Sequence, residues 1–197
     1  ESSADPEQVK EIQNALVQAA NQIEPAQLRA KPILEAMKSS GKQDQIVEIL
    51  PQIGGKDALQ MVAERFEKTE GNSKETAFRV LTQWKDPEAA QKLYAICAAG
   101  DGKYRKEAFS GFLRQISMSD LPGDQKVLQL RKLLPFTTDA AGKRSILRAL
   151  ERVKSFQSFL IVSRFMDDAE IANDAAWSTM RIALPSSAAP RCGSIDE

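Results

Sequence analysis

Residues 77–90 read AFRVLTQWKDPEAA, and this stretch decides the fold class. Its first half carries Ala77, Val80, Leu81 and Trp84 on a helical spacing, which is the apolar stripe of an amphipathic helix. A short turn, KDPE, follows, and a second helix-forming run begins after it. A helix, a tight turn and another helix together predict an antiparallel helical hairpin.

The same pattern recurs along the chain. The last apolar residues of the successive stripes are Ile23, Ile53, Trp84, Ile116, Val153 and Ala183. Successive members lie about 30 residues apart, except for one longer interval that contains the loop at 117–123. Because one hairpin cannot bury its apolar face alone, neighbouring hairpins must stack. The sequence therefore predicts an all-α fold, an α-α superhelix of five to six antiparallel helix hairpins.

We expect this helical repeat domain to cover residues 1–185. Residues 186–197 are small and polar and include Pro190 and Gly193, so they predict a linker or a disordered tail. An N-cap at Asp5 and a distortion at Pro51 are also predicted. The predicted helices span 6–23, 25–39, 43–53, 57–69, 73–84, 87–98, 103–116, 124–134, 141–153, 156–166 and 169–184.

The composition restricts the chemistry. The chain has no histidine, which excludes Ser-His-Asp and Cys-His catalysis and the commonest metal ligand. Its 27 basic and 27 acidic residues balance, so we expect no nucleic-acid partner, and no run is long enough to span a membrane. Cys97 sits in an apolar stretch and Cys192 in the tail, which predicts neither a disulfide nor a metal site. We assign no cofactor and no catalytic residue.

The junctions at 53–59 and 84–90 resemble those of short HEAT-type repeats, and the resemblance covers about residues 9–184. It implies a HEAT-like solenoid. The segments 77–90, 93–100 and 104–116 are similar to the helical region that precedes a concanavalin-like domain in secreted bacterial proteins of the 3-keto-disaccharide hydrolase family. This narrower resemblance implies an extracytoplasmic setting, periplasmic or secreted. It carries over no hydrolase residue, since the concanavalin-like domain is not in the sequence.

Four arginines occupy the second helix of successive hairpins, away from the core stripe. They are Arg79, Arg114, Arg148 and Arg181. On the concave face of a solenoid they form a basic ladder for an acidic segment or a carboxylate ligand. The alternative is that they pair with acidic neighbours on a solvated face, namely Glu75, Glu107 and Glu151.

Three aromatic residues are also candidates. Phe78 lies one position off the core stripe, so it is either an exposed binding anchor beside Arg79 or a packing residue. Trp84 and Trp177 occupy core or edge-of-core positions, and we expect both to be structural.

The leading hypothesis is a non-catalytic protein-interaction or scaffold domain. It presents a concave helical surface to another protein or to a neighbouring domain of the same chain, and because the sequence begins at Glu1 we expect a piece of a larger multidomain protein. One alternative is a helical accessory region of a secreted 3-keto-glycoside hydrolase-like enzyme whose catalytic domain lies elsewhere. Another is a lyase-like enzyme on a helical scaffold. The hydrolase-like alternative would allow a carbohydrate partner, although no residue supports one.

Overall fold

The computed structural model describes residues 5–84, 88–99, 102–137 and 139–184. Within these ranges every regular element is helical and no strand occurs, so the predicted all-α class is confirmed. The α-helices are α1 (Pro6–Asn21), α2 (Lys31–Ser39), α3 (Gln43–Val47), α4 (Leu50–Ile53), α5 (Lys56–Lys68), α6 (Gly71–Gln83), α7 (Glu88–Ala99), α8 (Gly102–Met118), α9 (Gly123–Arg131), α10 (Ala140–Val153), α11 (Phe156–Ser163) and α12 (Ala172–Ala183). Short 3₁₀ turns occupy Ala26–Leu28, Leu134–Phe136 and Arg164–Asp167. None of the described helices is both long enough and apolar enough to cross a membrane.

The chain divides into two compact units. The N-terminal unit is Glu1–Gln115 and the C-terminal unit is Ile116–Glu197. In the N-terminal unit α5 packs along α6, and α6 also contacts α3, α4 and α7. In the C-terminal unit α10, α11 and α12 pack on one another, and α9 contacts α10 and α11. Large, fully buried aliphatic and aromatic side chains form the core of each unit.

Within the N-terminal unit, polar side chains bond to groups about 30 residues away along the chain. Gln13 Nε2 donates to the Gln45 carbonyl oxygen at 2.8 Å, and Lys92 Nζ donates to Gln60 Oε1 at 2.7 Å. The buried Gln115 donates to the Trp84 carbonyl oxygen at 3.1 Å, where α6 ends. The bonded residues lie 31 or 32 positions apart in the chain.

The C-terminal unit repeats this offset. Arg144 Nε donates to Asp174 Oδ2 at 2.7 Å, and Arg181 Nη1 donates to Glu151 Oε1 at 3.2 Å. Both bonds join α10 to α12, and their partners are 30 residues apart. The offset of the side-chain bonds thus matches the period of the apolar stripes in the sequence.

Local sequence signals account for several helix ends. Asp5 caps α1 as predicted, accepting a hydrogen bond from the Glu7 backbone N–H at 3.2 Å. Pro51 breaks the predicted helix 43–53 into α3 and α4, and it falls in the first turn of α4, where a missing N–H leaves no bond unmade. The predicted helix 169–184 starts late, at Ala172. The predicted start of a helix at residue 87 and the predicted tail 186–197 lie outside the described residues.

Gly111 marks a close approach of α8 to its neighbours. A Cβ atom on this residue would lie 3.0 Å from Leu93 Cδ1 and 3.5 Å from Thr82 Cγ2. Leu93 is itself fully buried, so it has little room to move. A methyl group at this position would press against Leu93, and a larger side chain would have to displace it.

We expect Gly111→Leu to lower the free energy of unfolding by about 1–3 kcal/mol, because the new side chain overpacks the core. Ser110→Leu, at an exposed position of the same helix, is the matched control and should change stability by about 0.5 kcal/mol or less. Urea unfolding of both variants measures the difference. Equal stability of the two would contradict the close approach.

A polar cluster ties α3, α5 and α6 together. Arg65 Nη2 donates to Asp44 Oδ1 at 2.7 Å, and Ser73 Oγ donates to Asp44 Oδ2 at 2.9 Å. Burial raises the pKa of the Asp44 carboxyl, but the hydrogen bonds from Arg65 and Ser73 outweigh it and hold the pKa below the ordinary value of 3.8. The cluster therefore depends on an ionised Asp44.

Because the pKa of Asp44 is lower in the folded state, its contribution to stability is present above about pH 4 and is lost as the pH falls through the folded-state pKa. We expect Asp44→Asn to be less stable than the wild type at pH 7. The deficit should shrink as the pH is lowered towards about 2. Thermal unfolding across this range tests the expectation, with Asp57→Asn as the control at an exposed carboxylate. A deficit that does not change with pH would refute the assignment.

Candidate functional site

Three of the four predicted ladder arginines are engaged within the molecule. Arg79 on α6 pairs with Glu48, and Arg114 on α8 donates to the Thr82 carbonyl oxygen. Arg181 on α12 pairs with Glu151, the only one of the three predicted acidic partners to pair with a ladder arginine among the described residues. The predicted kind of pairing is therefore found for Arg181, whereas Arg79 has a different acidic partner and Arg114 bonds to a backbone carbonyl.

The predicted acidic partners differ in their outcome. Glu75 pairs with Lys103 instead of a ladder arginine, and this bond lowers the pKa of the Glu75 carboxyl. Glu107 lines the same groove as Glu75. The residue of α8 that lies 32 positions after Arg79 is Gly111, which has no side chain to continue the row. The row of arginines is therefore interrupted.

Of the two alternatives for Phe78, the structure shows the packing residue and contradicts the exposed anchor. The residue is 3% exposed, because its ring packs 4.8 Å from the Tyr104 ring and 5.7 Å from the Phe66 ring. Lys74 Nζ lies 4.9 Å from the centroid of Phe66, over the same aromatic cluster. The position one step off the core stripe is therefore still inside the core, at the base of a groove between α6 and α8.

Two of the ladder arginines, Arg148 and Arg181, line a groove between α10 and α12. We call this the tryptophan groove; its volume is about 380 Å³. The side chains of α10 that line it follow spacings of three, one and three residues, and so do those of α12, so each set shares one helix face. The charged and aromatic lining residues are Arg144, Arg148, Glu151, Asp174, Trp177 and Arg181.

Charge in the tryptophan groove is only partly compensated. Asp174 accepts from Arg144, and this hydrogen bond raises the pKa of the guanidinium. Glu151 accepts from Arg181 and, at 3.1 Å, from the Ser178 hydroxyl. Arg148 is exposed and has no hydrogen-bond or ion-pair partner among the residues that the structure describes. Three guanidinium groups thus face two carboxylates, both already engaged.

Trp177 is the residue that the sequence interpretation misplaced. It is 61% exposed, whereas Trp84 is 3% exposed and structural as expected. The buried face of α12 is formed instead by small residues, Ala175, Ser178 and Thr179, together with Ile171 just before the helix. Small side chains let α12 approach α10 and α11 closely, and the larger apolar residues are left on the outside.

A signal for this exposure was present in the sequence. Trp177 and Met180 on α12, with Leu184 just after the helix, are a second set of apolar residues, and all three are exposed. A helix with two apolar stripes cannot bury both against one set of neighbours. In α12 the stripe of small residues packs, and the larger residues stay exposed.

No group of three or more Cys, Asp and Glu side chains that could hold a metal ion occurs among the described residues. No family model matches the sequence, and no curated protein or solved structure is significantly similar to it. Both the resemblance to short HEAT-type repeats and the narrower one to the helical region of 3-keto-disaccharide hydrolase proteins stay predictions, as does the extracytoplasmic setting.

The exposure of the two tryptophans can be checked directly. We expect the fluorescence of a Trp84→Phe variant, which retains Trp177, to be quenched several-fold more steeply by acrylamide than that of a Trp177→Phe variant. The reason is that only Trp177 presents most of its indole ring to solvent. Similar quenching of the two variants would show that Trp177 is packed against the protein.

Proposed function

We propose that this chain is a non-catalytic protein-interaction module that binds an acidic peptide segment in the tryptophan groove. The observation that carries the proposal is that one groove is lined by the exposed Trp177 and by Arg148, an arginine with no hydrogen-bond or ion-pair partner among the described residues. Tryptophan and arginine are the residue types most enriched at the energetic centres of protein interfaces.

The chemistry of the two residues is complementary. The indole ring offers a large apolar surface at a small cost in side-chain entropy, and its neighbour Arg148 offers a planar set of donors. A guanidinium group binds a carboxylate through two parallel hydrogen bonds, and a hydrogen bond to a charged group contributes about 1.5–3 kcal/mol. A segment with an aspartate or glutamate next to an apolar residue satisfies both groups.

The neighbouring ion pairs favour this arrangement. Arg144 and Arg181 are held by Asp174 and Glu151, so the walls of the groove are set before a ligand arrives. A ligand that binds a preorganised groove loses less free energy to ordering of the protein. The excess positive charge of the groove also favours an acidic ligand over a basic one.

We further propose that each unit is a short stack of HEAT-like hairpins. The side-chain bonds between partners about 30 residues apart support this, because stacked repeats bring equivalent positions side by side. In this arrangement the groove between α10 and α12 belongs to the surface formed by the second helices of the hairpins, the surface that repeat proteins commonly use for binding.

A positional-scanning library of short peptides tests the binding proposal. We use the Trp84→Phe variant, so that the emission reports on Trp177 alone. Peptides that place a carboxylate beside an aliphatic or aromatic residue should shift or quench this emission. Arg148→Ala should weaken their binding about tenfold or more, because the bound carboxylate loses its partner.

The matched control is Arg152→Ala, which removes an exposed arginine of the same helix that does not line the groove. A second pair compares Trp177→Ala with Phe156→Ala, another exposed aromatic residue, using anisotropy of labelled peptides as the readout. If no peptide changes the emission of Trp177, or if the controls lose as much affinity as the groove variants, the proposed function is wrong.

A further inference from the structure

A second groove in the C-terminal unit has a different character. We call it the leucine groove; it lies between α9 and α11, reaches the 3₁₀ turns that follow them, and has a volume of about 370 Å³. Its apolar lining residues are Val127, Leu128, Leu134, Leu160, Ile161 and Phe165. None of its lining residues is shared with the tryptophan groove.

Large apolar side chains in the leucine groove face solvent. Leu128 is 58% exposed and Leu160 is 45% exposed, while Val127 at the base is buried. Exposed aliphatic side chains on both walls of one concavity mark an interaction site more specifically than scattered ones do. The shape favours a ridge of side chains that inserts between the two helices.

The charged residues at the rim of the leucine groove are all positive. Arg131 at the end of α9 and Arg164 after α11 line the groove, and both are exposed. Neither has a hydrogen-bond or ion-pair partner among the described residues, and no carboxylate is part of the lining. The groove therefore complements a ligand that is apolar along its centre and acidic at its edges.

We infer that the leucine groove is a docking site for an acidic amphipathic helix of a partner protein. Gln157, Leu160, Ile161 and Arg164 line one wall at spacings of three, one and three residues, so the wall is about 10 Å long, or two helical turns. A partner helix with apolar residues at spacings of three and four fills a groove of this length. Carboxylates beside these residues reach Arg131 and Arg164 at its rim.

Two other occupants are less compatible with these features. A membrane surface is contacted by protruding apolar residues, whereas this surface is concave. A second copy of this chain would have to present an acidic apolar ridge, and its α12 does not fit this description, because the exposed apolar residues of α12 lie next to the arginines of the tryptophan groove. Both become outcomes of the test.

The probe is a library of random 16-residue peptides displayed on phage and selected on the whole chain. Bound phage are then sorted for those that fail to bind the Leu160→Glu variant. The new glutamate places a negative charge in the groove, which repels an acidic peptide. We expect the peptides that depend on Leu160 to carry apolar residues at helical spacing and an excess of Asp and Glu. Circular dichroism checks that the variant is folded, and Leu160→Ser replaces it if it is not.

The charge requirement is tested with a double reversal, Arg131→Glu with Arg164→Glu. It should weaken the selected peptides about tenfold or more, and added salt should weaken their binding to the wild type as well. Lys132→Glu with Arg152→Glu is the matched control, since it changes the net charge equally at exposed residues outside the groove. This control should bind with wild-type affinity.

Three results would overturn the inference. The first is that no selected peptide depends on Leu160, or that the dependent peptides lack an acidic excess. The second is a dimer in analytical ultracentrifugation that Leu160→Glu dissociates, which would assign the groove to a second copy. The third is binding to vesicles of anionic lipid that the same substitution abolishes. Trp177→Ala should leave the selected peptides bound, so this test is independent of the tryptophan groove.

Discussion

A pair of short helices such as α5 and α6 cannot bury all of its apolar surface within the pair. The rest of the structure depends on the contacts that such pairs make with further helices. Contacts must be made to elements about 30 residues away along the chain. The side-chain hydrogen bonds show this offset, since Gln13 donates to Gln45, Lys92 donates to Gln60 and Arg144 donates to Asp174. This offset of about 30 residues determines which residues of two helices face each other across a groove.

The parts of the fold that the sequence predicts correctly are those controlled by the backbone and by large apolar residues. Asp5 caps α1, Pro51 divides α3 from α4, and Cys97 and Trp84 are buried. The cap and the break depend on local backbone geometry, and Cys97 and Trp84 are each surrounded in sequence by apolar residues of a core stripe. Burial also raises the pKa of the Cys97 thiol to about 11, as a core cysteine requires.

The parts that sequence reasoning misses depend on which of two competing faces wins. On α12 the face with Ala175, Ser178 and Thr179 packs, and Trp177 stays exposed. On α6 the reverse applies, since Phe78 lies off the stripe but finds Phe66 and Tyr104 across the unit. Periodicity alone cannot rank two apolar faces, because the ranking is made by neighbours that are distant in sequence.

The arginines show how side chains of one kind can come to differ in their contacts. Arg79 on α6 pairs with Glu48, which lies 31 residues earlier in the chain. Arg148 on α10 lies 30 residues before Ser178, whose hydroxyl already donates to Glu151, and it has no hydrogen-bond or ion-pair partner among the described residues. If the hairpins stack as we propose, a binding site arises where the offset of about 30 residues brings a charged side chain opposite a residue that cannot pair with it. Arg148, which lines the same groove as Trp177, is such a residue.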